Sequence, residues 1–491
     1  MRTVGGRTDR VVVVGAGLSG LAAALHLAGR GREVTVLERA AVPGGRAGRL
    51  DVGGYRVDTG PTVLTMRDVL AETFASVGDT VERRLELLPL SPAYEARFAD
   101  GSRLAVHSEP DAMVDEVRRF AGDAEARGYL RLRDWLGRLY RAQYDRFIAA
   151  NVDSPFALVS PDLARLAALG GFGSLHGRVA RFLRDDRLRR VFTFQSLYAG
   201  MAPRHALAVY GVIAYMDTVA GVFFPRGGVR ALPDALAASA ADAKVDLRYG
   251  MTVTGLERRG DRVTGVCTDT GERFGCDAVV LTTEPAYAYR LLGRAPRRPV
   301  RLRAAPSAVV VHLGVPAGAE TAHHVLSFGD AWRGTFDELI RRGRTMTDPS
   351  LLVTRPTATD PGLAPPGRDL LSVLAPVPNL DRGRIDWDAR GHDYAEEVIE
   401  VATRRVPGLP HDARILAVLT PADWARLGMT AGTPFSYAHS LAQTGPFRPG
   451  NFPRSSANAV LAGAGTVPGV GVPTALISGR LAADRITGRT P

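Results

Sequence analysis

The chain has 491 residues, enough for two or three intermingled domains around a sizeable apolar core, and its 45% hydrophobic content excludes disorder over most of its length. The net charge of +11 is carried by arginine, since Lys244 is the single lysine; no basic run is interleaved with aromatic residues, which argues against nucleic acid and leaves coding bias or an anionic lipid surface as readings. Cys267 and Cys276 are the only cysteines, with no C-x-x-C pair and no Cys/His cluster, so neither a disulfide framework nor a metal site is implied and a reducing cytoplasm is the expected setting.

The β-branched run Val11 to Val14 predicts a strand buried on both faces of a parallel sheet, and Leu21, Leu25 and Ala28 then follow helical spacing. Between them lies Gly15-Ala16-Gly17-Leu18-Ser19-Gly20. In such a turn Gly15 permits the reversal, Gly17 lets the backbone approach a pyrophosphate, and Gly20 lets helix and strand pack closely, with the helix N-terminus supplying amide donors. A second strand, Glu33 to Leu37, ends at Glu38, where a carboxylate accepts hydrogen bonds from an adenosine ribose. The apolar stretch Val11 to Ala28 is read as neither signal peptide nor membrane span, because Gly15, Gly17, Ser19, Gly20 and His26 interrupt it. NAD and FAD share this device. The continuation, Arg39 and then Pro43-Gly44-Gly45-Arg46, brings a second glycine pair and a guanidinium towards the pyrophosphate, and with a hairpin from Arg49 to Asp58 it favours FAD.

From about residue 116 to 222 the pattern is helical, as in Leu130, Leu132, Trp135, Leu136, Leu139 and Tyr140, until Phe223-Phe224-Pro225-Arg226-Gly227-Gly228 breaks it. A helix over Leu232 to Ala241 follows, then strands Val245 to Tyr249 and Met251 to Leu256. Strands Arg262 to Thr268 and Glu272 to Cys276 make a hairpin that places both cysteines in packing roles, and Ala278 to Leu281 returns to the first sheet. Residues about 300 to 444 mix strands, helices and proline turns. The end repeats the opening logic: a strand Ala459 to Leu461, the loop Ala462-Gly463-Ala464-Gly465-Thr466-Val467-Pro468-Gly469-Val470-Gly471-Val472-Pro473, and a helix Thr474 to Ile486. A loop so poor in side chains lets backbone come against a flat or phosphorylated ligand.

The stretches VVVVGAGLSGLAAALHLAGRGREVTVLERAAVPGGRAG, RRVFTFQSLYAGMAP, GVFFPRGGVRALPDAL, LLSVLAPVPNL and NAVLAGAGTVPGVGVPTALISG strongly resemble the bacterial-type phytoene desaturase family, carotenoid-pathway flavoproteins of the amine-oxidase-like superfamily, and the likeness spans nearly the whole chain. The resemblance implies an α/β architecture with a discontinuous Rossmann-like FAD-binding domain (residues 1–75, 223–290 and 445–491), a mixed-sheet substrate-binding domain (76–115 and 291–444) and a helical, membrane-facing subdomain (116–222). By motif, Gly15, Gly17, Gly20, Glu38, Arg39, Gly44, Gly45 and Arg46 would hold the adenosine and pyrophosphate of FAD, with backbone at Val253 on the adenine side. Gly465, Gly469, Gly471, Val472 and Pro473 would lie against the flavin. Related amine oxidases tether flavin through a cysteine in the closing segment; none stands there, so noncovalent FAD is implied.

The family's substrates are long neutral polyenes that lose hydride from an allylic methylene to flavin and then a proton, towards lycopene in the case of phytoene. Such chemistry rests mainly on positioning. The candidate catalytic residues are Asp162 and Arg165, polar positions in the apolar Phe156 to Leu169 stretch, against the competing reading of a solvated helix face. A carotenoid hydrocarbon has almost no aqueous concentration, which implies collection from a bilayer by a cytoplasmic, peripherally attached protein; Leu163 to Arg190, with Leu166, Leu169, Phe172, Leu175, Val179 and Phe182 beside Arg165, Arg178, Arg181, Arg184 and Arg187, is the candidate docking surface, or a set of core-facing helices. Rival readings on the same scaffold are a desaturase, ketolase or isomerase of another carotenoid, an amine oxidase, and a non-catalytic prenyl-chain escort. The sequence leaves the oligomeric state open.

Overall fold

A computed structural model describes residues 1–296, 301–318, 321–410 and 413–488. Its first strand, Arg10–Val14, is the middle of a five-stranded parallel sheet whose order is Ala459–Leu461, Ala278–Leu281, Arg10–Val14, Glu33–Glu38, Asp246–Tyr249. All four valines are buried because both faces are covered. Val11 and Val13 pack with Leu21 and Leu25 of the helix Leu18–Ala28, Leu236 of Ala231–Asp242, and Leu476 and Ile477 of Val472–Thr487. Val12 and Val14 pack with Val253 and Val263 from a three-stranded antiparallel sheet (Val253–Arg259, Arg262–Thr268, Arg273–Gly275). Since the five strands run the same way, their carboxyl ends share one edge, and segments from distant parts of the sequence emerge there side by side.

The hairpin Arg49–Val52/Tyr55–Asp58 forms as the sequence predicts. Its last carboxylate, Asp58, accepts backbone N–H groups from Val229 (2.6 Å) and Arg230 (3.0 Å), which fixes the turn before the helix Ala231–Asp242. The central cysteines are free thiols, and burial pushes Cys276 up to about 12.

A seven-stranded mixed sheet stands beyond this edge, in the order Arg414–Leu419, Ser307–Pro316, Arg368–Val377, Leu351–Thr354, His324–Ser327, Tyr94–Arg97, Arg103–Val106. All neighbours are antiparallel except His324–Ser327 beside Tyr94–Arg97. Period-two alternation gives it two characters. Val309, Val311, Val373 and Ala375 pack under the helix Trp387–Arg405, whereas Ala308, Val310, Ser372, Leu374 and Pro376 face a cavity.

The helical region is built on Asp123–Gln143, which buries Leu132, Trp135, Leu136 and Leu139 and leaves Leu130 in solvent. The stretch Leu163 to Arg190 resolves into the short helices Pro161–Ala168, Leu175–Val179 and Asp186–Val191. Its amphipathic spacing is mostly that of core-facing helices: Leu166, Leu175, Val179 and Leu183 are buried, Arg178 lies over the Trp135 and Phe182 rings, and Arg187 pairs with Asp185 and Asp100. Of the apolar residues named for docking, Phe172 alone is counted among the exposed large hydrophobics, at 47%. Among the described residues, no helix is long and apolar enough to cross a membrane.

Candidate functional site

A cavity of about 1460 Å³ begins at the carboxyl edge of the parallel sheet and continues across the face of the mixed sheet. Ordinary small-molecule sites measure about 300–1000 Å³, so this one has room for a dinucleotide and a second ligand. Its first half is backbone. Gly15, Gly17, Gly44 and Gly45 line it, with Gly17 bridged to Gly44 and the Gly44 N–H donated to the Ala16 carbonyl (2.9 Å). Two helices, Leu18–Ala28 and Val472–Thr487, open their N-termini on it, and neither has a side-chain cap. Uncapped first-turn amides are anion-binding groups when they face a cavity.

Two glycines separate folding from binding. A Cβ at Gly20 would lie 1.9 Å from the Gly15 carbonyl oxygen, so this glycine serves the helix–strand contact and lies behind the cavity wall. Gly17 differs: its φ of −74° suits any residue, and a Cβ would meet no protein atom nearer than 3.9 Å. Among the described residues nothing crowds a side chain there, so the space beside Gly17 in the cavity is open to a ligand against the backbone. Glu38, 7% exposed at the end of its strand, accepts the Ala16 N–H (2.7 Å) and the Ala40 N–H (2.9 Å) through different oxygens, leaving acceptor capacity on each for hydroxyl donors in the cavity. These residues fit the adenosine diphosphate portion of FAD.

Arg39 and Arg46 also line the cavity and are oriented by carbonyls, Arg39 by Leu427 (2.8 Å) and Arg46 by Pro434 (3.1 Å). Arg46 is also ion-paired with Glu284, whose other oxygen accepts the Thr430 hydroxyl (2.8 Å). Val253 lines the wall, and its carbonyl accepts the Tyr287 hydroxyl (2.6 Å). From the closing loop, Gly465, Gly471, Val472 and Pro473 reach the cavity. Gly469 does not; it lies against the His439 ring, where a Cβ would come within 2.4 Å of Cε1. The loop is held from behind by Arg448, which donates to the carbonyls of Thr466 (2.9 Å) and Ala464 (2.7 Å).

Asp162 and Arg165 are not brought to the cavity. They pair with each other at 2.8 Å on the outer side of Pro161–Ala168, Arg146 adds a second partner to Asp162 (3.2 Å), and Arg165 is 70% exposed; Leu163 and Leu166 of the same helix line the cavity instead. The helix presents its apolar side inward, as a solvated polar face requires. Glu284 and Asp217 also stand in the cavity wall, outside the motifs the sequence shows. Glu284 carried a signal: it follows a parallel strand and precedes Pro285 at a helix start, a position where open sheets place ligand-binding groups. Asp217 had only its place at the end of an apolar helix, Gly211–Thr218.

The second half of the cavity is apolar, with walls from Leu326, Phe328, Trp332, Leu352 and Leu374 on the mixed sheet and its flank and from Leu166, Phe194, Leu197 and Ile213 on the helical region. Its outer rim includes Phe172, Leu441 and Phe447, which are 47%, 61% and 51% exposed.

Residues 18–487 match the family described as flavin containing amine oxidoreductase. The chain is 61% identical to a phytoene dehydrogenase of Streptomyces griseus over 99% of its own length and 97% of the relative's. It is 37% identical to a zeta-carotene-forming phytoene desaturase of Myxococcus xanthus, covering 97% of this chain and 93% of the other. Among solved structures, cyclohexylamine oxidase from Brevibacterium oxydans superimposes with a TM-score of 0.60 over 98% of this chain and 99% of its own at 17% identity, a likeness of fold. Sequence, fold and cradle agree: the chain is an FAD-dependent oxidoreductase that belongs to the flavin-containing amine oxidoreductases and, within them, to the phytoene desaturase family.

Proposed function

We propose that the protein desaturates phytoene towards lycopene, with Gly15, Gly17, Glu38, Arg39, Gly44, Gly45, Arg46 and Val253 holding the adenosine diphosphate end of FAD. Gly465, Gly471, Val472 and Pro473 face the flavin end. The observation that carries this reading is the continuity of the backbone cradle with an apolar gallery in one cavity. When bound, FAD supplies a two-electron acceptor for hydride removed from an allylic methylene. The protein's part is to align the chain and exclude water. Leu326, Phe328, Trp332, Leu352 and Leu374 offer no charge to a neutral polyene, and each buried methylene of the substrate contributes about 0.8 kcal/mol to its retention. Coexpression in a phytoene-accumulating bacterium tests the reading: coloured, more conjugated carotenoids identified by absorption and mass are the expected result, and unchanged phytoene beside soluble, flavin-loaded protein overturns it. A second reading, that the product stops at zeta-carotene, is supported by the 37% identical relative that forms it; the same pigment analysis separates the two.

The substrate is taken from a lipid surface by the rim of the gallery. Phe172, Leu441 and Phe447 form its apolar edge, and Phe156 and Val159, 85% and 75% exposed, flank the wall residue Leu158. Burying each such side chain in a bilayer interface contributes about 1.5–3 kcal/mol. Replacing Phe172, Leu441 and Phe447 together by Glu is expected to shift the protein from the floating to the bottom fraction of a liposome gradient while leaving flavin content unchanged; flotation equal to the parent's excludes this rim.

A further inference from the structure

Asp217 is only 3% exposed, near the end of the helix Gly211–Thr218, and lines the cavity. Val212 and Met216, on the preceding turn and beside it, pack in the apolar core that also holds Leu64 and Val472 next to the closing loop, whereas Tyr94 and Phe194 belong to the neighbouring core under the mixed sheet and helical region. Asp217 therefore stands at the seam between the dinucleotide cradle and the apolar gallery. Its Oδ2 has no hydrogen-bond partner of normal geometry, and neither have the buried hydroxyls of Tyr94 and Tyr198, although the three groups are close enough to perturb one another's ionisation. A buried structural carboxylate is ordinarily met by a cation or by N–H donors, as Asp58 is by Val229 and Arg230. Among the described residues, the side chain that acts on the Asp217 carboxyl is the Tyr94 phenol, with the Tyr198 phenol beside it.

We propose that Asp217 is the base that removes the proton in each desaturation. This rests on the phytoene reading above. One allylic C–H bond breaks with its electron pair leaving as hydride, for which FAD, when bound, would be the acceptor. That departure is reversible until the adjacent carbon gives up its proton: there the C–H electron pair becomes the new carbon–carbon π bond and the proton passes to the Asp217 carboxylate, so net bleaching of the flavin proceeds at the rate of proton removal. One hydrogen thus leaves with both electrons to the acceptor, and the other leaves as a proton to the carboxylate.

Burial pushes the Asp217 carboxyl up to about 7, against a stabilising contribution from the Tyr94 hydroxyl. Tyr94 faces it from the strand Tyr94–Arg97 and Tyr198 from the turn after Phe194–Leu197; both are raised by burial and stay protonated. Behind Tyr94, His324 (ring centroids 5.5 Å apart) is held neutral by burial, and no basic side chain is among the groups that shift Asp217. A base in this setting releases its proton near neutrality, the range in which general base catalysis is most efficient.

The test compares wild-type holoenzyme with Asp217→Asn and Asp217→Glu. Each is mixed anaerobically with phytoene in phosphatidylcholine vesicles while flavin bleaching is followed over one turnover. The Asn variant is expected to retain its flavin and to bleach on the order of 100-fold more slowly, without the pH inflection of the wild type near 7; the Glu variant should restore most of the rate and an inflection. Infrared spectra of substrate-free holoenzyme titrated through neutrality give a second readout: beside the component of Asp58, whose burial raises it to about 6, a carboxylic-acid C=O band lost near pH 7 in the wild type and missing from the Asn variant. A wild type whose flavin phytoene does not bleach refutes the substrate reading, and this assignment with it. A wild type that bleaches while the Asn variant matches its rate and pH profile, or retains the infrared band, refutes the assignment alone.

Discussion

Gly17→Val should yield a folded protein without its yellow colour. The backbone at Gly17 is already in a region open to valine, and the nearest atom to a new Cβ is Gly45 Cα at 3.9 Å, so the fold has room for the Cβ on the cavity side. On the proposed reading, that room is the space in which a pyrophosphate would approach the turn between the first strand and its helix. Overpacking of this kind costs about 1–3 kcal/mol, and displacing the phosphates from the helix amides adds to it, so FAD affinity should fall by roughly two orders of magnitude or more. Far-UV circular dichroism and gel filtration of the apoprotein should match those of wild-type apoprotein, while the flavin-to-protein absorbance ratio collapses. Gly20→Ala is the contrasting control. Its Cβ would meet the Gly15 carbonyl at 1.9 Å, so that variant should be lost as insoluble material rather than recovered as colourless protein. A Gly17→Val protein that binds FAD as tightly as its parent would show that the cradle does not face the cofactor.

Asp217→Asn should raise thermal stability at alkaline pH. The folded carboxyl titrates at about 7 against 3.8 for the free side chain, a difference produced by burial. Below the unfolded value the group is protonated in both states and contributes no penalty. Between the two values the unfolded chain ionises while the folded one does not, so stability declines as the pH rises, and above about 7 the full cost is reached, on the order of 4 kcal/mol. Asparagine keeps the shape without the charge. Its advantage should therefore be largest at pH 8 and shrink by roughly half or more at pH 5. Melting curves of the two proteins, recorded with FAD in excess at several pH values, measure it. A variant no more stable than wild type at pH 8 would mean that the carboxylate is better solvated than its surroundings indicate. A residue that weakens the fold where it is needed charged is kept for something other than packing.

The parts of this protein that could be read from the sequence are the ones whose meaning is local. Val11 to Gly20 and Glu38 announce a strand, a turn, a helix and an acid within one short unit, and the turn geometry follows from those residues alone. The closing strand Ala459–Leu461 and its helix were legible for the same reason, although the helix starts at Val472 rather than Thr474. Periodicity was less informative. Leu166, Leu175 and Val179 have the spacing of an interfacial helix and of a core-facing one, and only the packing of Trp135 and Phe182 with Arg178 decides between them. Asp162 and Arg165 are polar residues in an apolar run, yet an amphipathic helix must have such a side, and in the structure they pair with each other outside the cavity. The group that does stand out, Asp217, depends on Tyr94 and Tyr198 from other elements, and no spacing rule joins the three.

The pairing of the helix Leu18–Ala28 with Val472–Thr487 sets a condition on synthesis. At ribosomal rates of about 5–20 residues per second, the earlier helix emerges and waits roughly 20–90 s for its partner to be translated. During that interval Leu21, Leu25 and Leu27, all later buried, lack the cover that Leu476, Ile477 and Leu481 provide, and the parallel sheet lacks its edge strand Ala459–Leu461. Nascent chains should therefore depend on chaperones until translation is nearly complete, and a premature stop codon even a few dozen codons early would leave a four-stranded sheet with one edge and part of one face uncovered, open to proteolysis.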